Sequence, residues 1–162
     1  YIFDYIIEDS LKVTVEPVSL EKAKRVRPFL KEVDYITPSI DEAEILLGLD
    51  VCSKKSLDYR TKRLETAYTQ LESPPIMIIT CSEQGVLLLT EKKKQMLLGR
   101  NIPASKVKET TGAGDALTAG FIEGLLSGEN LIKSVKMGMK AAEITICTKS
   151  TVNSNLDHEM ES

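Results

Sequence analysis

The stretch Lys108-Glu109-Thr110-Thr111-Gly112-Ala113-Gly114-Asp115 runs directly into Ala116-Leu117-Thr118-Ala119-Gly120-Phe121, an apolar segment with helical spacing. Gly112 and Gly114 flank an alanine, and residues this small let the backbone approach a ligand and adopt unusual dihedrals. A helix that begins here points its free N–H groups back into the Gly112–Asp115 turn, which makes an anion site with Asp115 on its rim. An anion site beside a carboxylate suits transfer of a phosphoryl group to a hydroxyl. The carboxylate takes the hydroxyl proton, and the amides stabilise charge on the moving group. The same residues also read as a tight connection in which Asp115 only caps a helix. No Gly-Lys-Ser or Gly-Lys-Thr follows the glycines, so the motif is not a Walker loop.

The elements that must position this turn follow from the rest of the chain. Lys12–Pro17 reads as a short strand rich in β-branched residues and stopped by a proline. Leu20, Ala23, Val26 and Leu30 recur at helical spacing behind Ser19, an N-cap. Val33–Thr37 is a second strand, and Ile40–Leu47 a short helix closed by Gly48. Lys54–Glu72 is a longer helix with Leu57, Leu64, Ala67, Tyr68 and Leu71 on its apolar face. Lys55, Arg60, Lys62 and Arg63 form a charged, solvated face. Ile76–Thr80 is continuously apolar, the pattern of a strand buried on both faces. Gly85–Leu89 and Gln95–Leu98 flank an exposed hairpin tip at Lys92-Lys93-Lys94. Two helices follow, Asp115–Leu126 and Leu131–Cys147, the second with Leu131, Val135, Met139, Ala142 and Ile146 on one stripe. Tyr1–Ser10 reads as the tail of a helix already under way, and the polar tail from Asn153 as frayed. Alternating strands and helices predict βαβ units and a parallel sheet, with antiparallel character from the hairpin.

Composition excludes several classes of function. The chain has 162 residues, 42% apolar and 28% charged, with a net charge of -3. Acids and bases are interspersed, so there is no basic surface for nucleic acid. No apolar run is long enough to span a bilayer, and no basic leader opens the chain. Cys52, Cys81 and Cys147 are odd in number and lack metal spacing, which predicts reduced thiols and a cytoplasmic protein. His158 is the single histidine and lies in the polar tail, which argues against a catalytic histidine or a His-bound metal.

Thr110-Thr111-Gly112-Ala113-Gly114-Asp115 closely resembles the second signature of the ribokinase family, also called the phosphofructokinase-B family of carbohydrate and nucleoside kinases. The resemblance implies that Asp115 is the catalytic base and that the Gly112, Ala113 and Gly114 amides form the anion hole. Thr37-Pro38-Ser39-Ile40-Asp41-Glu42-Ala43-Glu44 is similar to the family's Asn-x-x-Glu element, with Ser39 in place of the asparagine and Glu42 matching the glutamate. Its implied task is to hold the magnesium and phosphate water network. Read from the residues alone, Ser39 is a helix N-cap and Glu42 the other half of a capping box. Thr80-Cys81-Ser82-Glu83-Gln84-Gly85 is similar to the family's Gly-x-x-Gly nucleotide turn, with Ser82 replacing the first glycine. The plain reading is a turn into a hairpin. The implied nucleotide contacts are Ser39, Glu42, Thr80, Ser82, Gly85, Thr111 and Met139. A monovalent cation, K+, would fall by position to Glu109, Thr111, Thr145 and Ser154. Glu109 stands where the family has aspartate and is one methylene longer.

The resemblance implies an α/β fold: a ribokinase-like three-layer α/β/α sandwich with a mostly parallel central sheet plus antiparallel hairpin strands. Residues 1–162 then form a single domain, the C-terminal portion of such a kinase. The N-terminal part, with its Gly-Gly signature and its lid over the sugar, has no counterpart here. Within the family, Val15–Lys24 and Asp34–Pro38 look like the pseudouridine kinase branch, although these are scaffold positions. The implied function is phosphorylation of a sugar or nucleoside hydroxyl with ATP and Mg2+. The alternative is a half-kinase that binds nucleotide or a partner without turnover. The implied partners are a small-molecule sugar or nucleoside and, for assembly, a homodimer, with no nucleic acid and no membrane.

Overall fold

The computed structural model describes residues 11–100 and 102–148. The expected opening helix, the tail from Asn153, His158 and Ser154 lie outside the described residues. The chain folds as two compact units, one of Tyr1–Cys81 with Leu87–Met96 and one of Ser82–Val86 with Leu97–Ser162.

The first unit is built on a five-stranded sheet in the order β1-β2-β3-β4-β5, with β1 Thr14–Val15, β2 Tyr35–Ile36, β3 Ile76–Thr80, β4 Val86–Thr90 and β5 Lys93–Leu97. β1, β2 and β3 run parallel, in the register Val15↔Ile36 and Ile36↔Met77, as the alternation of strands and helices predicts. β4 and β5 are joined by Glu91-Lys92 alone, a connection short enough only for an antiparallel pair. The turn therefore lies one residue earlier than the lysine run suggests, and Lys93 and Lys94 belong to the strand. Thr90 places it, because its hydroxyl accepts the Lys93 N–H and donates to the Lys93 carbonyl, both at 2.9 Å. Exposed lysines on this outermost strand protect the sheet edge from further pairing.

Helices α1 (Leu20–Val26), α2 (Ile40–Leu46) and α3 (Leu57–Tyr68) cover one face of this sheet. Ala23, Ala43, Leu46, Leu64 and Tyr68 pack there with Ile36, Met77, Ile79, Leu87 and Leu89 in one buried cluster. Ile78 is also fully buried, so β3 is covered on both faces as its unbroken apolar run predicts. Three local expectations shift. The helix expected through Leu30 is α-helical only to Val26 and continues as a 3-10 turn over Arg27–Glu32, because Pro28 near its start cannot donate to the α-helical ladder. α3 begins after Ser56, whose hydroxyl accepts the Tyr59 N–H at 3.3 Å, so Lys54 and Lys55 stay outside the helix. Arg60 is not solvated: it is 7% exposed, and its guanidinium donates to the fully buried Glu44 at 2.7 Å and 3.2 Å and also pairs with Asp41.

The second unit is organised by α4 (Ala113–Leu126) and α5 (Leu131–Cys147). α5 has the bounds its periodicity predicts, with Asn130 as N-cap accepting the Lys133 N–H at 3.0 Å. Its buried face differs from the expected stripe. Ser134, Val135, Gly138, Ala141 and Thr145 are buried, whereas Met139, Ala142 and Ile146 are half-buried. The physical reason is the close approach of α4. A Cβ on Gly124 would stand 2.6 Å from the Ser134 Cα, and one on Gly120 would stand 3.0 Å from the Gly138 Cα. The seam therefore selects small residues, which a hydrophobic stripe does not reveal.

Candidate functional site

The Glu109–Asp115 turn is held in the second unit by backbone bonds at each end. The Lys108 and Glu109 N–H groups donate to the Ile146 carbonyl near the end of α5, at 2.8 Å and 3.4 Å. The Ala113 N–H closes the turn on the Thr110 carbonyl at 3.3 Å. Gly112 is the N-cap of α4 with φ 83 and ψ −2, a left-handed conformation that glycine adopts without a Cβ penalty. Its carbonyl accepts the first helical bond, from the Ala116 N–H at 2.9 Å.

Gly112 has no side chain to cap the helix. Among the described residues, none accepts from the Gly114 and Asp115 N–H groups, which lie at the positive end of a 14-residue helix. Asp115 is exposed, and its carboxylate has no hydrogen-bond partner among the described residues. The arrangement therefore offers open amide donors for an anion and, on the same helical turn, a carboxylate able to accept a proton.

Glu109 and Thr111 meet directly. Glu109 Oε1 accepts the Thr111 hydroxyl at 2.7 Å and the Thr111 N–H at 3.4 Å. Bonds from the Thr111 hydroxyl, and then from its amide, hold the Glu109 carboxyl below its ordinary range. In the sequence the local signal for this contact is a carboxylate two residues before a threonine. Thr145 is buried in α5, and its carbonyl accepts both the Thr148 N–H at 3.1 Å and the Thr148 hydroxyl at 2.8 Å. Met139 is half-buried on the same helix. No group of three or more His, Cys, Asp or Glu side chains able to hold a metal is present among the described residues.

In the first unit the structure brings Ser39, Glu42 and Thr80 together at the carboxyl ends of β2 and β3. Ser39 pairs with Thr80 in a parallel bridge, and the Thr80 N–H donates to the Pro38 carbonyl at 2.8 Å. The capping box is realised in full. The Ser39 hydroxyl accepts the Glu42 N–H at 3.3 Å, and Glu42 Oε2 accepts the Ser39 N–H at 2.8 Å. Glu42 Oε1 takes no part in the box.

The Ser82–Gly85 turn belongs to the second unit. Ser82 has φ 52, in the left-handed region, so a serine here occupies backbone that glycine tolerates better. Gly85 has φ 104, and a Cβ on it would stand 2.1 Å from the Leu97 carbonyl oxygen. Backbone proximity thus requires Gly85 whether or not a nucleotide binds.

Comparison with known proteins agrees with the fold and with the family resemblance. The model of the pfkB family of carbohydrate kinases matches residues 8–158. A ribokinase from Haemophilus influenzae is 29% identical over 130 residues, which is 77% of this chain and 38% of the relative. A pseudouridine kinase from Arabidopsis thaliana is 26% identical over 193 residues, covering 86% of this chain and 50% of the relative. Among solved structures, a ribokinase from Cryptococcus neoformans in complex with ADP superposes with a TM-score of 0.75 at 19% identity, over 99% of this chain and 56% of that one. An adenosine kinase from Schistosoma mansoni in complex with 2-fluoroadenosine superposes with a TM-score of 0.77 at 18% identity, over 97% of this chain and 48% of that one. The chain thus spans between 38% and 56% of the length of these relatives. With a family match across nearly its whole length, the chain belongs to the pfkB family of carbohydrate kinases.

Proposed function

We propose that this chain carries the phosphoryl-transfer face of a kinase that uses ATP and Mg2+ to phosphorylate a hydroxyl of a sugar or nucleoside, with pseudouridine the favoured acceptor. The observation that carries this reading is the pair of open Gly114 and Asp115 amides beside the unpartnered Asp115 carboxylate at the start of α4. The Gly112 and Gly114 amides, with that of Asp115, bind the transferring phosphoryl, while the expected Ala113 donor is held by the Thr110 carbonyl, and Asp115 orients the acceptor hydroxyl and takes its proton. Glu42, through Oε1, supports the waters of the metal. Magnesium, when bound, neutralises charge on the phosphate oxygens. Within the first unit Ser39 and Thr80, and within the second Ser82, Gly85, Thr111 and Met139, are the residues proposed to contact the nucleotide.

Pseudouridine is favoured by the Val15–Lys24 and Asp34–Pro38 stretches and by the Arabidopsis thaliana relative. Cys52, Cys81 and Cys147 are all free thiols, which accords with a cytoplasmic setting. No helix among the described residues is long and apolar enough to cross a membrane. A homodimer is the assembly to test first by light scattering. The alternative is a nucleotide- or partner-binding module without turnover.

Thermal shift and titration with a fluorescent ATP analogue test the phosphate site. Gly114→Val adds bulk where the phosphate must approach, and the expected result is loss of ATP-Mg2+ protection. Unchanged binding by that variant overturns the placement. Turnover of pseudouridine, ribose and adenosine by the full-length protein separates the kinase from the module, since the module binds nucleotide and yields no product.

A further inference from the structure

The loop from β1 to α1 holds one residue in backbone that its side chain does not favour. Val18 has φ 64, and among the described residues it is the one β-branched residue in the left-handed region. Two branches on Cβ make that conformation costly. Packing does not offset the cost, because Val18 is 60% exposed. The residues on either side impose the conformation. Before it, the Val15 carbonyl accepts the Thr37 N–H at 3.0 Å, and Pro17 is fully buried. After it, Ser19 caps α1: its hydroxyl accepts the Lys22 N–H at 3.3 Å, and its carbonyl accepts the Ala23 N–H at 2.9 Å. Backbone strain that the surroundings over-determine clusters where ligands bind.

The position of the loop selects the ligand. β1, β2 and β3 run parallel, and ligands of such sheets bind beyond the carboxyl ends of the strands. Ser39 and Glu42 follow β2, and Ser39 bridges to Thr80 at the end of β3. These are the residues of the first unit proposed to contact the nucleotide and the waters of its metal. β1 flanks β2 on the side away from β3, one strand spacing of about 4.8 Å across. In an in-line transfer the attacking hydroxyl and the leaving nucleotide lie on opposite sides of the moving phosphorus. With the nucleotide on the β2–β3 side, the β1 side is left for the acceptor. Val18 offers an exposed apolar side chain there, the kind of surface that packs against a ribose or base ring.

We propose that Val18 is a contact for the acceptor sugar or nucleoside, kept in strained backbone at the carboxyl end of β1 so that its side chain meets the acceptor and not the core. The identity of the ligand rests on the kinase reading of the Ser39–Glu42 edge. The strain and the exposure are properties of the chain itself.

The test compares Val18→Gly and Val18→Asn with wild type in the full-length protein. Glycine adopts φ 64 freely, so the melting temperature of Val18→Gly should stay level or rise. Isothermal titration with pseudouridine, adenosine and ribose, in the presence of Mg2+ and a non-hydrolysable ATP analogue, finds the acceptor that the wild type holds best. Both variants should bind that acceptor roughly threefold to tenfold more weakly, the size expected for one or two lost methyl contacts. KM for the same acceptor should rise by the same factor, with KM for ATP within twofold of wild type. Asparagine tolerates the left-handed region and nearly keeps the bulk, so its agreement with glycine separates the lost apolar contact from added backbone freedom. Acceptor binding equal to wild type in both variants overturns the proposal. A lower melting temperature in Val18→Gly overturns it too, because Val18 would then serve stability. So does a raised KM for ATP with the acceptor unaffected, which would assign the loop to the nucleotide. If the wild type binds an acceptor without turnover and the variants bind it more weakly, the Val18 contact stands and the kinase reading falls. If the wild type turns over and the variants bind as it does, the kinase reading stands and the contact falls. A wild type that binds none of the three compounds removes both.

Discussion

Gly138 of α5 lies against the backbone of α4 at Leu117, so closely that a Cβ on Gly138 would stand 2.4 Å from the Leu117 carbonyl oxygen. The obstacle is backbone and cannot rotate aside. Leu117 is also two residues beyond Asp115, so the seam between the helices supports the helix that carries the candidate base.

Gly138→Ala should therefore push the two helices apart. Overpacking of this kind costs roughly 1–3 kcal/mol. The expected result is a lower midpoint in urea unfolding with circular dichroism. A midpoint equal to that of the wild type would show that the seam opens without strain.

The Ser82–Gly85 turn gives two opposite expectations. Gly85→Ala places a Cβ 2.1 Å from the Leu97 carbonyl oxygen at φ 104, so both space and backbone oppose it. It should destabilise the protein by at least about 1–2 kcal/mol. Ser82→Gly relieves a residue held at φ 52 and should leave the melting temperature unchanged or raise it. Differential scanning calorimetry of both variants checks the pair, and a strongly destabilised Ser82→Gly contradicts the assigned backbone conformation.

Arg60 ties α3 to α2 through Glu44, which is fully buried and also accepts the Cys52 N–H at 2.9 Å. Arg60→Met keeps the bulk but leaves the buried Glu44 carboxylate only the longer contact to the Arg63 guanidinium at 3.5 Å, a loss of up to about 3–5 kcal/mol. Adding Glu44→Gln should recover part of that loss, because the amide oxygen still accepts from Cys52 and the poorly paired buried charge is gone. A double variant less stable than Arg60→Met would mean that the charge is not what the single variant exposes.

Tyr68 gives a pH dependence. Burial, helped by the negative charge of Glu91, pushes its phenol up to about 12. Its hydroxyl donates to the Pro75 carbonyl at 2.8 Å. The fold thus favours the protonated phenol. The related stability is complete below the ordinary value near 10 and is lost as pH rises towards 12. The shift corresponds to at most about 2–3 kcal/mol. Tyr68→Phe should lose a modest amount of stability at neutral pH and show a flatter alkaline limb in unfolding free energy between pH 10 and 12. Parallel alkaline limbs would assign the slope to other groups.

Asp115→Asn tests the proposed chemistry in the full-length protein. Asparagine keeps the shape but cannot accept the acceptor proton. Turnover should fall about 10²–10⁴-fold, the usual range for loss of a general base. ATP affinity should barely change, because the open amides remain. Steady-state kinetics with an acceptor nucleoside checks this, and equal turnover takes Asp115 out of the mechanism.

Much of the local structure was legible in the sequence because its causes are local. Ser19 and Ser39 cap helices through side chains that reach only three residues ahead. The apolar run of β3 and the glycine at Gly112 likewise carry their own signals, and so did the motif ending in Asp115. What the tertiary structure decided depends on residues far apart in the chain. Arg60 reads as solvated until Glu44, 16 residues away, meets it in the interior. The α5 face is chosen by how closely α4 approaches, so Gly138 and Ser134 are buried in preference to Met139. Glu109 engages Thr111 because the Ile146 carbonyl fixes the backbone from which the carboxylate extends. Side-chain reach and backbone preference are encoded residue by residue, whereas burial, seam and donor satisfaction are set only when distant segments compete for the same space and the same lone pairs.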